Sequence, residues 1–316
     1  MSDIKKRQHY VWRHYLRNWS DKENIWTFFK ELDKIEKPGL MGVALEKYFY
    51  KLIDFTDEEE SFLKKFLEET TPKDLKGLVF DYFTAFTSIS KLKKLMQRSS
   101  KNKSIELTDE IKKLEINAME DAHSLIENTG HKLIRCESLS DLKSLENEEY
   151  DLFGAIMFLS FQYFRTKKMK TATLKSFKGD GKFENLAKKC WNIISYQMST
   201  KLAKSICLDR KLRFVFIQNE TEIPLITGDQ PVFNILSDKL DNEGNVTDLE
   251  LYYPLSPKRA IRIHFNEIQT EKFIEDKASK ELIIFLNKKV VENSSFYVFS
   301  DNKETLELIK TGYNTV

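Results

Sequence analysis

Glycine and proline are scarce in this chain, ten and six among 316 residues. Barrels and sandwiches built on many tight turns need more of both, and a phosphate loop needs clustered glycine, so helices are expected to dominate. Cysteine is scarcer still. Cys136, Cys190 and Cys207 stand far apart with no CxxC pair, which gives no zinc framework and predicts reduced, buried thiols. No apolar run is long enough for a membrane span: the most apolar stretch, 152–164, contains Ser160 and Gln162 and falls short of the roughly 20 residues required. The opening Met-Ser-Asp-Ile-Lys-Lys-Arg leads into no apolar segment or small-residue cleavage site, so a cytoplasmic protein without membrane association is expected. P-loop, GxGxxG, HExxH, GxSxG, zinc-finger and RNP signatures are missing. The five histidines offer no metal-ligand spacing beyond a poor i, i+5 pair at His9 and His14, so no metal is expected, and nothing points to a particular cofactor.

Aromatic residues are plentiful, with 23 Phe and 12 Tyr, enough apolar surface to offset the entropy of folding. Runs such as Lys47-Tyr48-Phe49-Tyr50 and Phe80-Asp81-Tyr82-Phe83 read as core. The formal net charge of +2 hides a strong segregation. Residues 165–213 carry 14 basic and three acidic side chains, residues 1–22 carry six and two, and residues 91–103 carry six and none. Clustered Lys and Arg gain affinity for polyanions by releasing counterions from phosphates, so the segment 165–213 is a candidate nucleic-acid face. The competing reading is a set of solvated helix faces neutralised by the acidic stretches 54–74 and 137–151.

The expected fold class is α+β: a predominantly helical N-terminal two-thirds, then a mixed α/β C-terminal third on a small, mainly antiparallel sheet. A single domain over 1–316 is expected, with a possible division into a helical part, 1–209, and a strand-rich part, 210–316. Residues 8–19 suggest a short helix or turn, and the β-branched and aromatic run 24–29 a strand. From about 56 to 205 the pattern is helical, with Thr56 and Glu59 as a capping box, Thr71-Pro72 starting a helix, and Thr108 or Ser104 opening another. Residues 152–168 are apolar nearly all round and belong at the centre. Strands are expected at 212–217, 224–227, 232–235, 249–253, 260–264 and 296–299, a turn at 242–245, and a helix over 276–293.

Three islands hold polar residues that local structure does not demand. In the first, His9, Arg13 and Arg17 would share one helical face at i, i+4 and i+8, with Tyr10 beside them. The second places Gln162, Arg165 and Thr166 together at the end of the buried helix, and the third is Asp229 in Thr227-Gly228-Asp229-Gln230-Pro231-Val232. In this order, and over nearly the whole chain, they resemble an uncharacterised, mostly bacterial family catalogued as domain of unknown function 4238. The resemblance rests on His-Tyr-Val-x-Arg-x-x-Leu-Arg-Asn from His9, Gln-x-x-Arg-Thr from Gln162, Thr-x-Asp-x-Pro-Val from Thr227, Tyr253-Pro254-Leu255-Ser256-Pro257, and Leu286-Asn287. Trp12 stands where the family usually has proline, and Gly228-Asp229-Gln230 where Ser-Asp-Asn is commoner. The family implies no reaction.

The residue types suggest phosphate chemistry, because Arg holds phosphate oxygens bidentately while His exchanges a proton near neutrality. His9, Arg13, Arg165 and Asp229 are therefore the candidate catalytic residues, with Asp229 orienting the His. Tyr10, Arg17, Gln162, Thr166, Lys167, Lys168 and Asn287 are the candidate binding residues. The expected function is a nuclease-like or phosphate-directed effector of a toxic or defence kind. The alternative is a non-catalytic sensor that recognises an anionic ligand, nucleotide or partner with the same pocket, or an architectural role in which Arg165 pairs with Asp229.

Overall fold

Short strands precede the first long helix in the computed structural model, which describes residues 4–98, 105–147, 151–176, 179 and 181–312. The chain starts with β1 (Arg7–His9) and a one-turn helix α1 (Arg13–Leu16), then β2 (Ser20–Asp21), β3 (Asn24–Phe29), β4 (Lys34–Glu36) and β5 (Leu45–Lys47). Helices follow: α2 (Asp57–Thr70), α3 (Lys76–Arg98), α4 (Ile105–Thr129), α5 (His131–Ile134), α6 (Leu139–Ser144), α7 (Asp151–Phe164), α8 (Lys167–Ser176) and α9 (Gly181–Leu208). The last third contains β6 (Leu212–Gln218), β7 (Thr227–Gly228), β8 (Phe233–Asn234), β9 (Glu250–Ser256), β10 (Arg259–Phe265), β11 (Phe273–Lys277), α10 (Lys280–Asn293), β12 (Tyr297–Ser300) and α11 (Lys303–Lys310). The fold is α+β, with the long helices in the middle of the chain and mainly antiparallel sheets at its end.

Helix starts follow the local chemistry. Thr56 accepts the Glu59 amide while the Glu59 carboxylate accepts the Thr56 amide, so two otherwise orphaned donors of α2 are satisfied reciprocally. Helix α7 is buried on nearly every side and packs chiefly against α9 and α4. Each fully buried Leu, Ile or Phe there contributes roughly 1.5–3 kcal/mol. The apolar run leads to an expected helix through Lys168, but α7 ends at Phe164. The Thr166 hydroxyl accepts the Met169 amide at 3.3 Å, which makes it the cap that starts α8 instead. Ser104, one expected cap of α4, lies outside the described residues, and Thr108 lies within the helix.

A five-stranded sheet runs in the order β11-β6-β10-β9-β8, with β11 parallel to β6 and the other pairs antiparallel. A second runs β2-β3-β12-β7 with β4 on β3, and it joins the beginning of the chain to its end through Phe29 opposite Tyr297. The short helix or turn expected at 8–19 is α1 with the 3-10 turn after it, and the strand expected at 24–29 is β3. β1 pairs antiparallel with β5, and aromatic side chains of this N-terminal segment join the main core. Two expectations need correction. Residues 276–293 do not form one helix: β11 ends at Lys277 and Ser279 caps α10. The strands expected at 224–227 and 232–235 shrink to the two-residue β7 and β8.

Both departures from the family pattern have a geometric account. Trp12 has φ −61°, the value a proline ring imposes, so either residue fits the backbone there. A Cβ at position 228 would lie 1.9 Å from Ser294 Oγ and 3.2 Å from the Tyr297 carbonyl oxygen, so any side chain here requires Ser294 to shift.

Candidate active site

The site is assembled on the antiparallel pair of β1 and β5. Gln8, fully buried, donates to the Ile116 carbonyl and accepts the Tyr50 amide, each at 2.7 Å, and so locks β1 to α4. The Tyr10 amide donates to the carbonyl of Ala44, which is buried at φ 48°; Tyr48, just past β5, has φ 58°. Non-glycine residues in the left-handed region cost about 1–2 kcal/mol each, and such conformations concentrate at functional sites.

His9 ends β1 with its ring recessed, and neither ring nitrogen has a side-chain hydrogen-bond partner among the described residues. Burial, followed by the guanidinium groups of Arg13 and Arg165, lowers its pKa to about 4; the Val43 backbone opposes the shift and Arg7 adds a smaller push down. Its imidazole is thus neutral near pH 7. Arg165 lies under it, 1% exposed. Its Nε donates to the Tyr10 carbonyl at 3.2 Å, and its Nη2 lies 2.7 Å from a Glu127 oxygen, close for an ion pair but poorly aligned for a hydrogen bond. Burial works against the Arg165 charge; Tyr50, Glu127 and Glu120 sustain it.

Helix α4 supplies the acidic side. Burial raises the Glu120 carboxyl to about 7 despite Arg165, with Glu127 adding to the rise and Lys5 opposing it. Burial likewise raises Glu127, against its ion pair with Arg165. His123, one turn from Glu120, is buried and pushed well down by desolvation and then by Arg165. One Glu120 oxygen, one His123 nitrogen and the Arg165 Nη1 are buried without hydrogen-bond partners among the described residues. Such atoms are uncommon in folded proteins, and here several of them surround one guanidinium.

A pocket of about 730 Å³ opens onto this interior. Lys5, Lys6, Arg7, Arg13 and Arg17 contribute cations to its lining, Glu120 and Glu127 the carboxylates, and His9, Trp12 and His14 the rings. Arg17 is paired with Glu23 and Lys5 with Asp121, both at 2.6 Å, whereas Lys6, Arg7 and Arg13 have no carboxylate partner among the described residues. Trp12 packs against Phe158 and His131, which seats this wall on the core. A cavity of about 740 Å³ beside Asp209, Asn234 and Glu267 is similar in size, but Lys211 and Glu267 at its edge form an exposed pair. Among the described residues, no group of three or more His, Cys, Asp or Glu side chains is placed to hold a metal ion.

His9, Arg13 and Arg17 therefore line one pocket, but from a strand, a helix and the following 3-10 turn rather than from one helical face. Asp229 does not join them. Its carboxylate accepts the amides of Ser295 and Phe296 at 2.7 and 2.9 Å, and its neighbours are Lys30, Lys168 and the Tyr10 ring. Burial raises it to about 6, against those amides. The partner of Arg165 is Glu127, not Asp229. Thr166 bonds the Gln230 side chain, and Asn287 pins the 224–226 loop through the Ile226 amide and the Pro224 carbonyl. Gln162 is fully buried with no side-chain partner, and it does not line the pocket.

The basic segment 165–213 is largely matched within the chain. Lys167 meets Glu46 at 3.1 Å and the Phe296 ring, Lys168 donates to Asn293, and Lys170 lies over Phe49. Lys188, Lys189, Lys204 and Lys211 have carboxylate partners, and Arg213 binds the Gln269 carbonyl. Lys178 lies outside the described residues, as do residues 99–103 of the other basic stretch. Sequence reasoning missed Glu120 and Glu127. Their signal was Glu120, His123 and Glu127 at i, i+3 and i+7 on the same stripe of α4 as Ile116 and Met119, where charge is unexpected.

The family model described as protein of unknown function (DUF4238) matches residues 7–304, a span from β1 through the start of α11. The chain belongs to this family. The family match thus takes in the strand pair that carries His9, the α4 carboxylates and Arg165. Neither a curated protein nor a solved structure matches the chain. No described helix is long and apolar enough to cross a membrane.

Proposed function

We propose that this chain is a phosphate-directed hydrolase of the nuclease type, acting on nucleic acid in the pocket between the β1–β5 strand pair and α4. The observation that carries the reading is the joint lining of one recess by neutral His9, the partly buried Glu120 carboxyl and cationic side chains without carboxylate partners among the described residues. Arg13 and Arg7 neutralise phosphate oxygens at the mouth, where charge-assisted hydrogen bonds both bind and orient. Arg165 is held too deep, and too firmly by Tyr10 and Glu127, to clamp substrate at the mouth. It supplies a fixed positive field beneath the reacting groups. The face for the strand is this N-terminal pocket rather than the matched lysines of segment 165–213.

The test incubates purified protein with total RNA and with single-stranded DNA, with and without divalent cations, beside Arg13→Ala. Cleavage by the wild type, reduced about tenfold or more in the variant and weakened by salt, is the expected result. Stoichiometric, salt-sensitive binding without turnover would assign the pocket to a sensor instead.

A further inference from the structure

Glu120 lies outside every polar island of the sequence, yet it has the placement a proton donor requires. It lines the pocket from α4, one turn after Ile116, whose carbonyl receives the Gln8 amide. That bond ties α4 to β1, so Glu120 and His9 enter the same recess from two elements held in fixed relation. One carboxyl oxygen is buried without a protein partner. Its charged and titratable surroundings are Arg165 from the α7–α8 junction, Glu127, His123 and Asp121 on α4 itself, Lys5 from the N-terminal segment, and Tyr50 after β5. Arg165 is engaged by Glu127 at 2.7 Å, so it does not fully compensate a second carboxylate.

We propose that Glu120 is the general acid of this site, holding a proton that it delivers to the oxygen leaving phosphorus, while His9 is the base that activates water. The inference rests on the hydrolase reading above. In the step, water forms the new O–P bond and gives a proton to His9, the ester P–O bond breaks, and its oxygen takes the proton of Glu120. The products are a phosphate monoester and an alcohol, with no change of oxidation state. Exchange with solvent then removes the proton from His9 and returns one to Glu120.

The same assignment fixes a pH profile. Activity should rise as pH passes about 4, where His9 loses its proton, and fall as pH passes about 7, where Glu120 loses its own. The maximum therefore lies on the acid side of neutrality. A general acid also leaves a mark that a structural carboxyl does not: it matters most when the leaving group is a poor one. Poly(A), which must expel an alkoxide, and bis(p-nitrophenyl) phosphate, which expels a stabilised phenolate, are the two probes.

Glu120→Gln should lower poly(A) cleavage about 100-fold or more, lower phenolate release far less, and remove the alkaline limb. Glu120→Asp, read in the same way, serves if the Gln variant fails to fold; it should keep an alkaline limb at a shifted pH. Equal losses on both probes with an unchanged profile, or a Gln variant as active as the wild type, would overturn the assignment and leave the hydrolase reading standing. A wild type that cleaves neither these probes nor single-stranded DNA, with or without divalent cations, would overturn both.

Discussion

Two desolvated carboxyl groups, Asp229 fully buried and Glu120 partly so, illustrate how differently this fold surrounds the same group. Burial raises both Asp229 and Glu120 above the ordinary carboxylate range. Asp229 has both oxygens filled by consecutive backbone amides, and Lys30 and Lys168 nearby cap the end of α10, donating to the carbonyls of Val291, Asn293 and Ser294. Glu120 keeps an oxygen without a protein partner and faces a solvent-connected pocket. Perturbed proton affinity alone does not separate scaffold from site; the disposition of the lone pairs does.

The largest effect that would sharpen this contrast is at Arg165. Replacing it with Met should cost about 3–5 kcal/mol in urea unfolding, because Glu127 is left as an uncompensated buried charge. Adding Glu127→Gln should recover a substantial part of that loss; a double variant no more stable than the single one would mean that the pair is not the source of the cost. Next comes Asp229. Asp229→Ala strands two amide donors and should destabilise by roughly 2–3 kcal/mol, with activity per folded molecule unchanged. A stable Asp229→Ala protein with lost activity would move Asp229 back from scaffold to site.

The smallest stability effect is expected at His9. No side chain among the described residues bonds its ring nitrogens, so His9→Ala strands at most a backbone group at Val43 and should shift unfolding by less than about 1 kcal/mol while abolishing turnover. Large destabilisation with retained activity per folded molecule would make His9 a tether and remove it from the catalytic scheme.

Much of this architecture was legible in order along the chain. The Thr56–Glu59 box, the strand at 24–29 and the all-round apolar character of α7 are local signals, and local physics sufficed to read them. The failures have a common cause. β11 is half polar because only Phe273 is buried along it, so its identity comes from the neighbouring β6 rather than from its own pattern. The Arg165–Glu127 pair joins α4 to the end of α7, and nothing within either segment favours Glu127 over Asp229 as the partner. Reading His9, Arg13 and Arg17 as one helical face gave the right neighbours for the wrong geometric reason, since a strand followed by a tight turn brings them to the same recess.

The sheet that joins β3 to β12 has a consequence for synthesis. Phe29 meets Tyr297, 268 positions later, so at about 5–20 residues per second the early strand emerges on the order of tens of seconds before its partner. During that interval Ile25, Trp26, Phe28 and Phe29 form an apolar edge covered only by the short β2 and β4. Nascent chains stalled before β12 should therefore be the species most prone to self-association and most dependent on chaperones.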